Sequence, residues 1–133
     1  AKVLQKLGSK HVLVVHGEDG MDEISITGET FIAELKDNVI KEYTIRPSDF
    51  KLREGSLRDI IVKDSIHSKK MILEILNGKL SVGRDIALLN AGAAIYISGL
   101  VNDIDSGITI AADMIDQGKA MEKLNQLITS SND

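Results

Sequence analysis

The chain has 133 residues, enough for one domain with one core. A net charge of -4 and only 3% aromatic residues remove the electrostatic and stacking grounds for binding nucleic acid or an anionic membrane surface. The absence of cysteine excludes a disulfide framework, a zinc thiolate site and a cysteine nucleophile, and no apolar run or basic-then-apolar leader points to a membrane, so the expectation is a soluble, cytoplasmic protein.

Taken in chain order, Val3, Leu4 and Leu7 followed by Gly8 read as the end of an amphipathic helix with a glycine stop. So short a run does not stand as an independent helix; either it frays or the natural chain extends further back. His11 to Val15 is a continuous apolar run, which predicts a strand buried on both faces in a parallel or mixed sheet. An acidic, glycine-bearing loop follows, and Ile24 to Thr27 reads as a short strand. Thr30 to Leu35 alternates, with Phe31, Ala33 and Leu35 on one face. A turn at Lys36-Asp37-Asn38 leads into a second alternating arm, Val39 to Ile45, in which Lys41 is the exception. Together these predict a hairpin.

Pro47 ends that arm and opens an irregular segment, with a short helical turn at Leu57 to Ile61. A helix is expected from Ser65, with Met71, Ile72, Ile75 and Leu76 as its buried stripe and Asn77-Gly78 as its end. Residues 84–98 are apolar nearly all round, the mark of a buried helix, and Ala91-Gly92-Ala93-Ala94 would let a neighbouring element approach closely. Ile108 to Asp116 reads as a helix capped by Asp105 or Ser106. Past Gly118 a last helical piece carries Met121, Leu124, Leu127 and Ile128, and Thr129 to Asp133 reads as a frayed tail. With no repeat and no linker, residues 1–133 read as a single α/β domain: a mixed sheet with a β-hairpin and packed helices.

The chemistry concentrates in Val15-His16-Gly17-Glu18-Asp19-Gly20-Met21-Asp22-Glu23, at the C-terminal end of the best strand. Ligands of open α/β sheets bind at strand ends of this kind. On a glycine-bent loop the adjacent carboxylates of Asp22 and Glu23 can converge on one cation. Mg²⁺ is usually held by one or two carboxylates, with phosphate and water completing its shell. The loop therefore reads as half of a metal–phosphate site; against that stands the plainer reading, a solvated acidic pair. His16 reads as a packed structural residue, and His11 and His67 as incidental, since the three histidines lack metal-ligand spacing. Gly17-x-x-Gly20 is not by itself a phosphate loop. Asn90, inside so apolar a helix, must find a hydrogen-bond partner.

Two strings carry a resemblance. Val14-Val15-His16-Gly17-Glu18-Asp19-Gly20-Met21-Asp22-Glu23 resembles the second metal loop of the anthranilate phosphoribosyltransferase family, and Leu88-Leu89-Asn90-Ala91-Gly92-Ala93-Ala94-Ile95-Tyr96 resembles a buried helix late in that family. The hairpin, Pro47-Ser48-Asp49-Phe50 and Ile115-Asp116-Gln117-Gly118-Lys119-Ala120 fall in the same order. The resemblance covers essentially the whole chain. It implies the C-terminal part of the family's larger α/β domain, of the nucleoside phosphorylase/phosphoribosyltransferase type. The implied reaction joins anthranilate to 5-phosphoribosyl 1-diphosphate in tryptophan biosynthesis, with Mg²⁺ on the diphosphate, Asp22 and Glu23 as metal ligands, and a homodimeric parent. The family's Gly-Thr-Gly-Gly-Asp loop, its Lys-His-Gly-Asn-Arg segment and its acceptor-binding region have no counterpart in these residues. Ser68-Lys69 also stands where the family often has Asn-Ala. The fragment alone is expected to be inactive. Two rivals remain: a non-catalytic stand-alone module, and a related phosphoribosyltransferase or phosphorylase with another acceptor.

Overall fold

A computed structural model describes residues 1–132. The order is α1 (Lys2–Lys6), β1 (His11–Gly17), β2 (Thr30–Lys36), β3 (Val39–Ile45), single 3₁₀ turns at Pro47–Phe50 and Leu57–Asp59, then α2 (Ser65–Leu76), α3 (Val82–Ile97), α4 (Ile104–Asp116) and α5 (Lys119–Ser131). The sheet has the order β1-β2-β3. Asp37 and Asn38 both take positive φ, 49° and 62°, the two-residue turn whose twist matches a hairpin, so Lys36 pairs with Val39. The α/β class holds. Both pairings among the described residues are antiparallel, so the mixed sheet expected from the apolar run at 11–15 is not met within this chain.

Only one face of the sheet meets the main core. Ile32 and Ile45 pack with Ile24, with Leu88, Leu89, Ala93 and Tyr96 of α3, and with Ile104, Ile108, Ala111 and Ile115 of α4. α4 lies on α3, and their crossing is set by two glycines. A Cβ on Gly92 would stand 2.6 Å from the backbone nitrogen of Ile108, and one on Gly107 would strike the backbone of Gly92. The close approach expected at Ala91–Ala94 is thus made by α4, and Ala91 and Ala94 themselves face outward. Arg84 is buried, and it donates to both carboxylate oxygens of Asp116, at 2.8 and 3.0 Å, and to the Gly78 carbonyl at 3.0 Å.

Several expectations need correction. β1 is an edge strand with one covered face: Leu13 and Val15 pack on the core, but Val14 is 41% exposed. Phe31, Ala33 and Leu35 do share a face of β2, and Leu35 is fully buried, but Phe31 is 48% exposed and the main core lies on the opposite face, with Thr30, Ile32 and Glu34. Ile24 to Thr27 forms no strand, because its polar groups are taken up by side chains, as described below. None of Met71, Ile72, Ile75 and Leu76 is fully buried, since α2 lies at the margin of the helical layer. α3 begins at Val82, where the Ser81 side chain accepts from the Arg84 N–H. α4 begins at Ile104, capped by Asp103 rather than Asp105 or Ser106, because burying Ile104 extends the helix by a turn. The tail is helical to Ser131, and its last residue, Asp133, lies outside the described residues.

Candidate functional site

β1 ends at Gly17 because the chain turns there. The Gly20 N–H donates to the Gly17 carbonyl at 3.0 Å, and the Gly17 N–H donates to the Met21 carbonyl at 2.8 Å. A Cβ on Gly17 would sit 2.5 Å from Asp19 Oδ1, so glycine is required by space. Asp19 is the organiser of the loop. Its carboxylate accepts from the Met21 N–H at 3.0 Å, from Ser25 Oγ at 2.7 Å and from Thr27 Oγ1. Burial raises its pKa, but the bonds from Thr27, Ser25 and Met21 outweigh that and hold it below the usual aspartate value.

The far side of the loop is anchored by α3. Asn90 accepts from the Ile24 N–H at 3.0 Å and donates to the Ile24 carbonyl at 2.9 Å and to the Ile86 carbonyl at 3.1 Å. Asn90 thus finds the partner its apolar surroundings demand, and that partner is the residue immediately after Glu23. Ile24, Ser25 and Ile26 are buried behind it. Between these two anchors Asp22 and Glu23 are exposed, and among the described residues neither side chain enters a hydrogen bond or an ion pair. Both carboxylates are free to coordinate.

As a donor set, two carboxylates suit a hard cation such as Mg²⁺ and suit soft metals poorly. Among the described residues no cluster of three or more His, Asp or Glu forms a cage. The pair therefore fits Mg²⁺ only in an open coordination sphere that phosphate oxygens and water complete. Gly17-x-x-Gly20 serves the turn and is no phosphate cradle.

His16 is not packed and hydrogen-bonded as expected; it is exposed on the uncovered face of the sheet. His11, read as incidental, belongs to a polar cluster at the opposite end of β1. There the buried Glu34 carboxylate meets His11 Nε2 at 2.8 Å and accepts from Tyr96 Oη at 2.7 Å and Tyr43 Oη at 2.9 Å. Lys36 Nζ donates to Tyr96 Oη at 3.2 Å and lies 4.8 Å from the centre of that ring. Burial and the Glu34 hydrogen bond push the Tyr43 phenol far above its ordinary value. These partners are 9 to 62 residues apart in sequence, so no local pattern announces them. The signal available was Glu34 on the core-facing parity of its strand. For Asp19 it was the Ser25-x-Thr27 hydroxyl pair downstream.

Residues 1–121 match a family model described as glycosyl transferase family, a/b domain. The chain is 48% identical over 127 residues to the anthranilate phosphoribosyltransferase of Methylobacillus flagellatus, covering 96% of this chain and 37% of that protein. It is 45% identical over 133 residues to the protein of the same name from Ruthia magnifica, covering 100% of this chain and 39% of the relative. Among solved structures, the anthranilate phosphoribosyltransferase of Thermus thermophilus superposes with a TM-score of 0.87 at 26% identity, over 96% of this chain and 37% of that one. The Saccharomyces cerevisiae enzyme in complex with PRPP and Mg gives 0.80 at 25% identity, over 90% and 35%. The chain spans little more than a third of the relatives it matches.

Proposed function

The chain belongs to the glycosyl transferase family through its a/b domain, and on that premise we propose that it forms the C-terminal part of an anthranilate phosphoribosyltransferase. The parent reaction transfers the phosphoribosyl group of 5-phosphoribosyl 1-diphosphate to anthranilate and releases pyrophosphate, a step of tryptophan biosynthesis. The carrying observation is the 48% identity that runs through 96% of this chain to a relative of that name. The reading places the parent in the cytoplasm as a homodimer.

Within this reading Asp22 and Glu23 are the residues that hold Mg²⁺. A cation bound there would neutralise the negative charge that grows on the departing diphosphate. The chain's own contribution is positional. Asp19 and Gly17 fold the loop, Asn90 fixes its exit, and the two adjacent carboxylates are exposed without competing partners among the described residues. Preorganising charged ligands in this way avoids reorganisation during the reaction. The 133 residues supply one wall of the site and no phosphate cradle, so alone they are inactive.

The test is a chimera in which this chain replaces the matched 127 residues of the Methylobacillus enzyme. It is expected to form phosphoribosylanthranilate in a magnesium-dependent reaction. Asp22→Ala with Glu23→Ala in the chimera should lower kcat/KM by about a hundredfold or more and weaken the apparent affinity for Mg²⁺. A soluble chimera with no transfer activity overturns the assignment of reaction. An active double variant with unchanged magnesium dependence overturns the assignment of the metal loop.

A further inference from the structure

Residues 18–23 carry four carboxylates, Glu18, Asp19, Asp22 and Glu23, and the fold treats them differently. Asp22 and Glu23 are exposed and enter no hydrogen bond or ion pair among the described residues. Glu18 lies beside Gly28, its Oε2 3.9 Å from where a Cβ on that glycine would stand. Asp19 is bound through both of its oxygens.

The pattern of those bonds is specific. Asp19 Oδ2 takes two hydroxyl hydrogens, from Ser25 Oγ at 2.7 Å and from Thr27 Oγ1. Oδ1 takes the Met21 N–H at 3.0 Å. An ionised carboxylate only accepts, so all three partners donate to it. A carboxamide is a poor substitute, because its NH₂ would face either the Met21 N–H or the two hydroxyls.

These bonds are rooted in the core. Ser25 is 1% exposed, and its Oγ also accepts from the Thr27 N–H at 3.0 Å. The Ser25 N–H donates to Thr30 Oγ1 at 2.9 Å, and Thr30 is buried at the start of β2, opposite Gly17. A line of hydrogen bonds thus runs from Thr30 through Ser25 and Asp19 to the amide of Met21, the residue before Asp22. The turn itself is already closed by backbone bonds among Gly17, Gly20 and Met21. What the side chains add is a tie across Asp22 and Glu23, with Asp19 on one side of the pair and Ser25 and Thr27 on the other.

We propose that Ser25 and Thr27 are positioning residues for the metal pair, and that Asp19 acts with them as a clasp and not as a third metal ligand. The bond from Ser25 to Asp19 closes a ring over six sequence positions, with Asp22 at its midpoint. Closing that ring in advance removes part of the ordering entropy that capture of a cation would otherwise cost. Opening it leaves both ligands in place but free to move apart, so the cation is held less tightly. The inference rests on Asp22 and Glu23 as metal ligands and is independent of the acceptor in the reaction.

The experiment titrates Mn²⁺ alone, a paramagnetic stand-in for Mg²⁺, into the 133-residue chain and reads amide broadening at Asp22 and Glu23 by NMR. Asp19→Asn and Thr27→Val are chosen because neither position is fully buried and both changes keep the side chain's size. Asp19→Asn is expected to weaken Mn²⁺ binding by about tenfold, the scale on which groups that orient metal ligands act. Thr27→Val should weaken it in the same direction although it removes no carboxylate, and Thr27→Ser, which keeps the hydroxyl, should bind as the unaltered chain does. In the chimera, Asp19→Asn should raise the Mg²⁺ concentration for half-maximal activity by about tenfold, while activity at saturating Mg²⁺ falls less. A role confined to stability would lower activity at every Mg²⁺ concentration and leave that midpoint in place.

Unchanged Mn²⁺ binding in both variants, or an unmoved midpoint in an active chimera, overturns the proposal and leaves the metal loop standing. Binding lost in Asp19→Asn but kept in Thr27→Val makes Asp19 a ligand and also overturns it. No broadening at Asp22 and Glu23 in the unaltered chain overturns the metal loop and the proposal together. Weakened Mn²⁺ binding beside a chimera that transfers nothing sustains the proposal and counts only against the reaction.

Discussion

Asn90 couples a helix to a loop 66 residues away through a pair of bonds to one backbone unit. Replacing it with alanine leaves both the N–H and the carbonyl of Ile24 without their partner in a half-buried setting. An unsatisfied group of this kind costs about 1–3 kcal/mol, so Asn90→Ala is expected to lower the unfolding free energy by about 3 kcal/mol. Urea unfolding measures this, and a loss under about 0.5 kcal/mol would show that water replaces the amide. Exchange at Met21 to Ser25 should quicken as well, because the exit of the acidic loop is released. Asn90 was legible in the sequence for a physical reason: one amide among apolar neighbours must be satisfied, and its surroundings were visible at helical spacing. Asp19 was not, since carboxylates are common in loops and its hydroxyl partners act only once the chain has turned at Gly17. Glu34 and His11 were hidden more deeply, because strand register and the placement of Tyr96 bring them together.

The α3–α4 crossing sets two opposing effects against each other at Gly92. Alanine is favoured over glycine inside a helix by about 1 kcal/mol. The added methyl, however, would lie 2.6 Å from the Ile108 nitrogen and 2.9 Å from its Cα, and backbone atoms cannot rotate aside. Overpacking costs about 1–3 kcal/mol where side chains can yield, and more where they cannot. Gly92→Ala should therefore be destabilising, by more than about 2 kcal/mol, with a lowered thermal midpoint; a raised midpoint would show that the helices separate freely. The same crossing was readable from the small residues at 91–94, although which element would fill it was not. Helices and hairpin were legible because period and turn residues are local: Asp37-Asn38 and Gly118 mark their turns directly. What failed was burial. The apolar run of β1 is that of an interior strand, and within these residues it stands at an edge. On the Phe31–Leu35 face Leu35 is fully buried but Phe31 is exposed, and the main core on the opposite face accepts Glu34 because three side chains satisfy it.

At the scale of the whole molecule, one layer of helices covers one side of the sheet, and the carboxylates that hold this arrangement share a direction of titration. Burial raises the Glu34 carboxyl, but the bonds from Tyr96, His11 and Tyr43 more than offset it, and Asp19 behaves likewise. Asp116 is lowered by its bond to Arg84, and Asp103 by the Ser106 amide at the start of α4. Asp85 runs the other way, raised by burial against the pull of Arg84 and Arg53. A carboxylate whose folded pKa is depressed binds its proton more readily when unfolded, so its stabilisation is complete above the unfolded value, about 4, and is lost as pH falls through the folded one. With Glu74, lowered by its exposed bond to Lys79, five groups of this sign against one predict an unfolding free energy that changes little from pH 7 to about 5 and declines steadily below about 4. Asp103 and Asp116 are solvent-exposed and screened, so the buried Glu34 should carry the largest single share. Glu34→Gln removes that share: the variant starts less stable at pH 7 and loses less as the solution is acidified, so the two curves converge. Urea titrations of both proteins from pH 7 to 3 decide the matter. Parallel curves would mean that the Glu34 cluster is held by packing, with the charge of its carboxylate adding nothing.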